Sequence, residues 1–496
     1  MRPIEVLMSC IALAASIFLL AGLPVQPPGA AFFLMLLGGI VIAHLVYEGE
    51  HWQIVPLYIA IFVLLITSTN ILLGAYRGSL GPGFRVVGGG VLALVLAAAA
   101  VSWIVPMFRL PRPTGPHRVG TRILYMTDPK RDSEGGARPD SQRELMVQIW
   151  YPAEAIGHQR EVYRRRTETT LKSSYQAVLR TQSLRSAPIL AAKTAYPLLI
   201  FSPAWTGQRT QSTFLMQEMA SHGFVVASID HTYYSGLVAF PDGRVIDSHR
   251  APALGDFTHL SIREGIELAN QFVRILADDI LSVLDWLAAL NGHPEGEWFR
   301  RLDFSRVGVM GHSIGGAAGA EACGIDPRIG AALNFDGWTF GDTLRVGLAK
   351  PWMVIYGKGI EKEPAGLAAQ PEGVQRYWQM NRENHETVSA ALRENDGYCL
   401  TIQGCSHWNF ADRALYSPLR SRTGAGTIRP KRACRIIATA ARAFFVEALN
   451  GRDRSLVAEA VSVFPEVDVV IQPHHVAPGQ SGSESPDEPK RAIQTD

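Results

Sequence analysis

Arg306-Val-Gly-Val-Met-Gly-His-Ser-Ile-Gly-Gly-Ala-Ala-Gly-Ala320 decides the fold of this chain. A short apolar, β-branched run leads into Gly-His-Ser-Ile-Gly and then into small residues, the pattern of a buried strand, a tight turn and a helix lying close to a sheet. Such a turn forces Ser313 into a strained backbone conformation, and Gly311 and Gly315 are positions where any side chain would collide with a neighbouring strand or helix. Gly316, Ala317, Ala318 and Gly319 let the helix approach the sheet. In this setting Ser313 is a candidate nucleophile rather than an ordinary turn serine.

Outward from the elbow, strands alternate with amphipathic helices. Glu144–Tyr151, Tyr196–Phe201, Gly223–Ile229, Arg306–Met310, Ile329–Phe335, Pro351–Tyr356 and Tyr398–Ile402 are expected as strands, most of them apolar enough to be buried on both faces. Thr213–Ser221, Val273–Leu290 and Arg432–Leu449 have helical spacing. The expectation is an α/β-hydrolase fold, a mostly parallel doubly wound sheet, occupying residues 121–452. A Pro-rich linker, 110–120, precedes it. An extension, 453–496, follows and is polar enough to be disordered from about 473.

The 47% hydrophobic content of the 496 residues is concentrated before residue 109. Val6–Leu23, Gly29–Val46, Ile54–Tyr76 and Val86–Phe108 are nearly free of charge and of membrane-spanning length, so residues 1–109 are expected to be an all-α region of four transmembrane helices. With an even number of spans, Arg2, Arg109, Arg112, Arg118 and Arg122 fall on the side of the large domain and Arg77 and Arg85 opposite, which favours a cytoplasmic face for that domain. Apart from His44 the spans hold no central ionisable group, which argues against a transporter.

Residues 155–193 fit the alternation poorly. Arg160, Arg164, Arg165, Arg166, Lys172, Arg180, Arg185 and Lys193 outnumber Glu161 and Glu168 there, making a basic insertion that either meets anionic lipid headgroups or is a solvated helix pair. The formal charge of +2 and the lack of an aromatic-plus-basic stripe give no reason to expect nucleic acid. The five cysteines show neither zinc spacing nor a disulfide framework. No metal or cofactor is expected.

A serine hydroxyl needs a base, and in this fold the base comes from a loop after a late strand. His407, in Gln403-Gly-Cys-Ser-His-Trp-Asn-Phe410, is so placed; His222 and His231 precede the nucleophile and His312 points away from it. For the acid there are two positions. Gly357-Lys-Gly-Ile-Glu-Lys-Glu363 follows the strand that commonly carries it but offers only Glu361, whereas one strand earlier Asn334-Phe-Asp336 ends in an Asp. Asp336 is the first choice and Glu361 the fallback. Backbone N–H groups for an oxyanion are expected from Ile314 and from the loop Phe201-Ser-Pro-Ala-Trp-Thr-Gly207, where Trp205 is the candidate with Ala204 close behind, since Pro203 has no N–H.

Arg143–Pro152, Ala220–His231, Phe240–Arg244, Val309–Gly316, Asp336-Gly-Trp338 and His407–Asp412 together resemble the platelet-activating-factor acetylhydrolase family, especially its bacterial members, over about Thr121 to Arg452. The resemblance implies Ser313, Asp336 and His407 as nucleophile, acid and base, and substrates that are phospholipids with a short or oxidised acyl chain, or other short-chain esters. The family's Phe-Ser-His-Gly is here Phe201-Ser-Pro-Ala204, a departure that touches the acyl pocket and the first oxyanion donor. The four N-terminal spans are not part of the family pattern. The reading is a serine carboxylic ester hydrolase anchored in a membrane, by this resemblance a bacterial inner membrane, with the lipid bilayer as its partner. Acyl transfer through the same residues, and a membrane sensor that binds a ligand without turnover, are the alternatives.

Overall fold

The computed structural model describes residues 1–74, 81–132, 142–154, 157–191, 194–249, 260–343, 347–357, 366–395, 397–451 and 455–473. Glu361, Arg77, Lys193 and the tail from 474 lie outside the described residues.

Four helices long and apolar enough to cross a membrane open the chain: α1 (Pro3–Leu20), α2 (Pro27–Tyr47), α3 (Val55–Leu72), which a short turn extends back to Trp52, and α4 (Pro82–Ile104). Each begins at or beside a proline, whose missing N–H costs nothing in the first turn. α4 stops short of the hydropathy run because Pro106 disfavours helical geometry in the residue before it. The rest of that run has a different use: Phe108 is buried among Tyr163, Tyr175 and other core residues of the large domain.

Eleven strands follow in one sheet. They are β1 (Arg118–Asp132), β2 (Gln142–Ala153), β3 (Arg160–Val162), β4 (Arg180–Arg185), β5 (Tyr196–Ser202), β6 (Val225–Asp230), and, after a two-residue hairpin formed by β7 (Val238–Ala239) and β8 (Val245–Ile246), β9 (Leu302–His312), β10 (Ile329–Phe335), β11 (Trp352–Tyr356), β12 (Tyr398–Ile402) and β13 (Val467–Ile471). The order across the sheet is β13-β12-β11-β10-β9-β5-β6-β2-β1-β4-β3, with the six strands from β12 to β6 parallel. This is the mostly parallel, doubly wound sheet expected. Helices α6 (Ile262–Gly292) and α7 (Ile314–Ile325) cover one face, and α5 (Thr213–Ser221) and α9 (Pro430–Asn450) the other; α8 (Glu372–Glu394) packs on the same side as α6 and α7.

The basic insertion is not a helix pair. β3 and β4 add to the sheet edge beside β1, with 3₁₀ turns between them. The inward positions of β4 are Thr181 and Ser183, so an edge strand forms without the apolar alternation that would announce it. Arg164 is tied inward to Thr210, while Arg165, Arg166 and Lys172 are exposed. The insertion also touches the link between α2 and α3: Arg166 pairs with Glu50 at 3.0 Å, and the Trp52 indole donates to the Lys172 carbonyl.

Candidate active site

The chain runs from β5 to β6 on one side and returns to β9 on the other, so the carboxyl ends of β5 and β9 flank a topological switch point, where open α/β sheets bind ligands. β9 ends in the elbow. Ser313 has φ +58° and ψ −128°, and its N–H donates to the Phe335 carbonyl at 2.8 Å. A Cβ on Gly315 would fall on the carbonyl oxygens of Ser202 and Pro203, so the helix start presses directly against the end of β5.

One strand along, β10 delivers Asp336, also at positive φ (+53°), with its N–H donating to Ile355. Its Oδ1 accepts from the Gly357 N–H at 2.6 Å and its Oδ2 from His407 Nδ1 at 2.8 Å. The end of β11, the commoner place for an acid, here contributes a backbone donor to the carboxylate of its neighbour. Gly337 is required beneath: a Cβ there would strike the Ser313 carbonyl. The structure therefore brings Asp336 and His407 together beside the elbow. With Nδ1 committed to Asp336, Nε2 is the ring nitrogen free to take or give a proton. Asn409, fully buried, holds the histidine loop by accepting from the N–H groups of Ser406 and Gly426.

His312, next to the nucleophile, is buried with its ring 4.4 Å from that of His407. Burial, and then the neighbouring His407, push its pKa well below the usual histidine value, so it is neutral. In the expected oxyanion loop the Ala204 N–H is taken by the Gln211 side chain at 3.0 Å, and the Trp205 ring packs on Phe272 at 4.9 Å.

Several buried groups at the site have no role that the sequence assigns. His231 Nε2 is hydrogen-bonded to Ser202 Oγ and its Nδ1 donates to Asp279, both at 2.9 Å, while Arg143 grips Asp279 through two nitrogens. This string has the connectivity of a Ser-His-Asp triad, but it is buried throughout, where it fixes the end of β5. Arg143 and His231 lie in stretches that carry the family resemblance, and Asp279 stands out as a charge on the apolar stripe of α6 between Leu276 and Val283. Gln211 gives no signal, because polar residues in loops are ordinary; Asn409 lies in the His407–Asp412 stretch, where nothing marks it as the residue that holds the loop.

Glu5, His44 and His51 each place a ligand atom within 4.8 Å of the others at the domain-side end of the helical bundle, a spacing that could hold a metal ion. The Arg2 guanidinium already lies on Glu5, reaches His44 at 3.4 Å and donates to the carbonyls of Glu48 and Gly49, so a cation of the chain itself balances the Glu5 carboxylate.

The family described as platelet-activating factor acetylhydrolase, isoform II, matches residues 104–457. The chain belongs to this family. Among its relatives, a probable 1-alkyl-2-acetylglycerophosphocholine esterase of Arthroderma benhamiae is 26% identical over 77% of this chain and 98% of its own length. A platelet-activating factor acetylhydrolase of Cavia porcellus is 24% identical over 61% of this chain and 69% of its own. In structure, a ferulic acid esterase from Streptomyces cinnamoneus superimposes with a TM-score of 0.57 at 27% identity, covering 73% of this chain and 99% of that one. With esterases on both sides of the comparison, the chain is an ester hydrolase. The family match begins at the end of α4 and so takes in Phe108.

Proposed function

We propose that this acetylhydrolase-family member cleaves short-acyl or phospholipid-like carboxylic esters through an acyl-enzyme on Ser313. His407 Nε2 takes the Ser313 Oγ proton as Oγ bonds to the carbonyl carbon, and Asp336 steadies the resulting imidazolium through Nδ1. The N–H groups of Ile314 and Trp205 receive the oxyanion. The alcohol departs with the proton, and water repeats the sequence to release the acid. The observation that carries this reading is Ser313 held at φ +58° beside the Asp336–His407 pair at the switch point of the sheet. Ser313→Ala is expected to abolish both fluorophosphonate labelling and turnover of p-nitrophenyl acetate; labelling that survives sinks the assignment.

The same reading places the four helices in a bilayer, with the large domain on the cytoplasmic face of a bacterial inner membrane. Large apolar side chains such as Phe32, Met35, Ile42 and Phe62 face outward, a surface far too apolar for water. The arginine count narrows, since Arg118 and Arg122 belong to β1, leaving Arg2, Arg109 and Arg112 on the domain side. Because the basic insertion touches the α2–α3 link, Arg165, Arg166 and Lys172 sit at headgroup level, where anionic lipid attracts them. Alkaline carbonate is expected to leave the full chain in the membrane pellet, and charge reversal at Arg165 and Arg166 to lower activity on vesicles of anionic lipid. Release by carbonate overturns the anchoring, and unchanged vesicle activity overturns the headgroup contact.

A further inference from the structure

Three separate loops build the proposed site, and one buried residue, Gln211, touches all three. Gln211 Oε1 accepts from the Ala204 N–H at 3.0 Å, in the loop after β5. Its Nε2 lies 2.6 Å from Nδ1 of His312, in the elbow. Its backbone carbonyl accepts from the Asp412 N–H at 2.8 Å, five residues beyond His407, and the neighbouring Ser212 hydroxyl donates to the Phe410 carbonyl. The oxygen of Gln211 sits where a Cβ on Gly207 would be, so the loop is wrapped closely around it.

The polarity of this bridge has only one sense. A backbone N–H can only donate, so the group facing Ala204 must be the amide oxygen, and the group facing His312 must then be the NH₂. An NH₂ donates, so His312 Nδ1 must accept, which makes His312 a neutral imidazole carrying its proton on Nε2. That matters because His312 lies ring to ring with His407, the group proposed to become positive during turnover. A second positive ring at this distance would oppose that change. The other rings against His312 are Trp408 and Phe410, neither of which ionises; behind His407 stands Asp336.

We propose that Gln211 is a positioning residue of this ester hydrolase: its side-chain amide orients the loop that presents Trp205 and locks His312 in the neutral tautomer beside His407. The proposal rests on the assignment of Ser313 and His407 above. Gln211 touches no reacting atom; it acts through the groups it holds.

The test uses full-length protein in detergent with p-nitrophenyl acetate. Gln211→Met keeps the length and removes both hydrogen bonds, and is expected to lower kcat by about tenfold or more with KM within about threefold, since oxyanion contacts count only in the transition state. Fluorophosphonate labelling is expected to slow in parallel. Gln211→Glu still accepts from Ala204, but once ionised it can only accept from His312, which draws the His312 proton from Nε2 to Nδ1 and undoes the tautomer, so its activity relative to wild type should fall as pH rises. A purely structural role would not give that ratio a pH dependence. Gln211→Met with near wild-type kcat, a loss confined to KM, or a Gln211→Glu ratio flat in pH each overturns the proposal. If Ser313→Ala still labels, the catalytic assignment itself has failed; if it does not label and Gln211→Met is unaffected, the bridge alone has.

Discussion

The helical bundle and the catalytic domain divide their residues in opposite ways. In the catalytic domain large apolar side chains go inward: Phe201, Phe335, Phe444 and Phe445 are all but fully buried. In the bundle small and polar residues share the interior with large apolar ones such as Leu57, Ile61 and Leu64. α1 buries Glu5, Met8, Ala12, Ser16 and Leu19, and α4 buries Phe84, Gly88, Val91, Val95, Ala98 and Ser102, at steps of three and four. Gly88 lets α1 come close: a Cβ there would stand 3.0 Å from Leu19 Cβ and from the Ser16 carbonyl, and Ser16 Oγ donates to the Gly88 carbonyl. Phe32 and Met35 meanwhile point out. In water, burial is the reward for being apolar; between helices in lipid the surroundings are equally apolar, and close fit and hydrogen bonds select the inward face instead.

The sharpest way to break this comparison is to truncate one phenylalanine in each region. Phe445, on α9, packs over Gly308 in the strand that carries the elbow. Phe445→Ala should cost about 3–5 kcal/mol through lost burial and a cavity, seen as a lower midpoint for thermal loss of esterase activity in detergent. Phe32→Ala, at a position 64% exposed, should leave that midpoint unchanged. Equal losses would mean that the outward face of the bundle is packed against protein, and the contrast between the regions would collapse.

The same contrast explains what could be read from the sequence. The parallel strands were legible because both of their faces are apolar, and the elbow because a strained serine flanked by glycines has few other uses. The four helices were legible as spans but not in their packing, because a uniformly apolar helix carries no stripe to mark its inner face. Edge elements were lost for a related reason: β4 turns short polar residues inward, and in β13 (Val467–Ile471) only Ile471 is buried, so neither alternates. At the site, Asp336 and His407 lie at strand ends in the expected chain order and meet at 2.8 Å. The Gln211–His312 contact and the Ser202–His231–Asp279 string join residues distant in sequence, and one chain read alone does not reveal such pairings. Hydropathy alone puts Phe108 in the fourth span. Only Pro106, two residues before it, hinted that the chain had already left the helix.

Where the two regions join, a third environment appears, and it yields the smallest expected effect. Ser417 donates to the Ile104 carbonyl at the end of α4, and Phe108 packs on Tyr416 at 4.8 Å and on Tyr163 at 5.2 Å. Tyr163 donates in turn to Asp412, which also accepts from the N–H groups of Thr213 and Phe214 at the start of α5. Burial pushes the Asp412 pKa up to about 7, against the pull of those donors and of nearby Arg164. The folded state therefore holds this proton more tightly than the unfolded chain. The stability it contributes is fully present below the ordinary aspartate value near pH 4 and is lost as pH rises through about 7. Asp412→Asn cannot ionise. Whatever fixed cost it carries from the lost acceptor, its melting temperature relative to wild type should climb between about pH 4 and pH 7 and level off above. A difference that stays constant over that range would mean that the donors around Asp412 outweigh its burial and that the carboxylate is charged at the seam, as Asp279 is beneath Arg143 in the catalytic core.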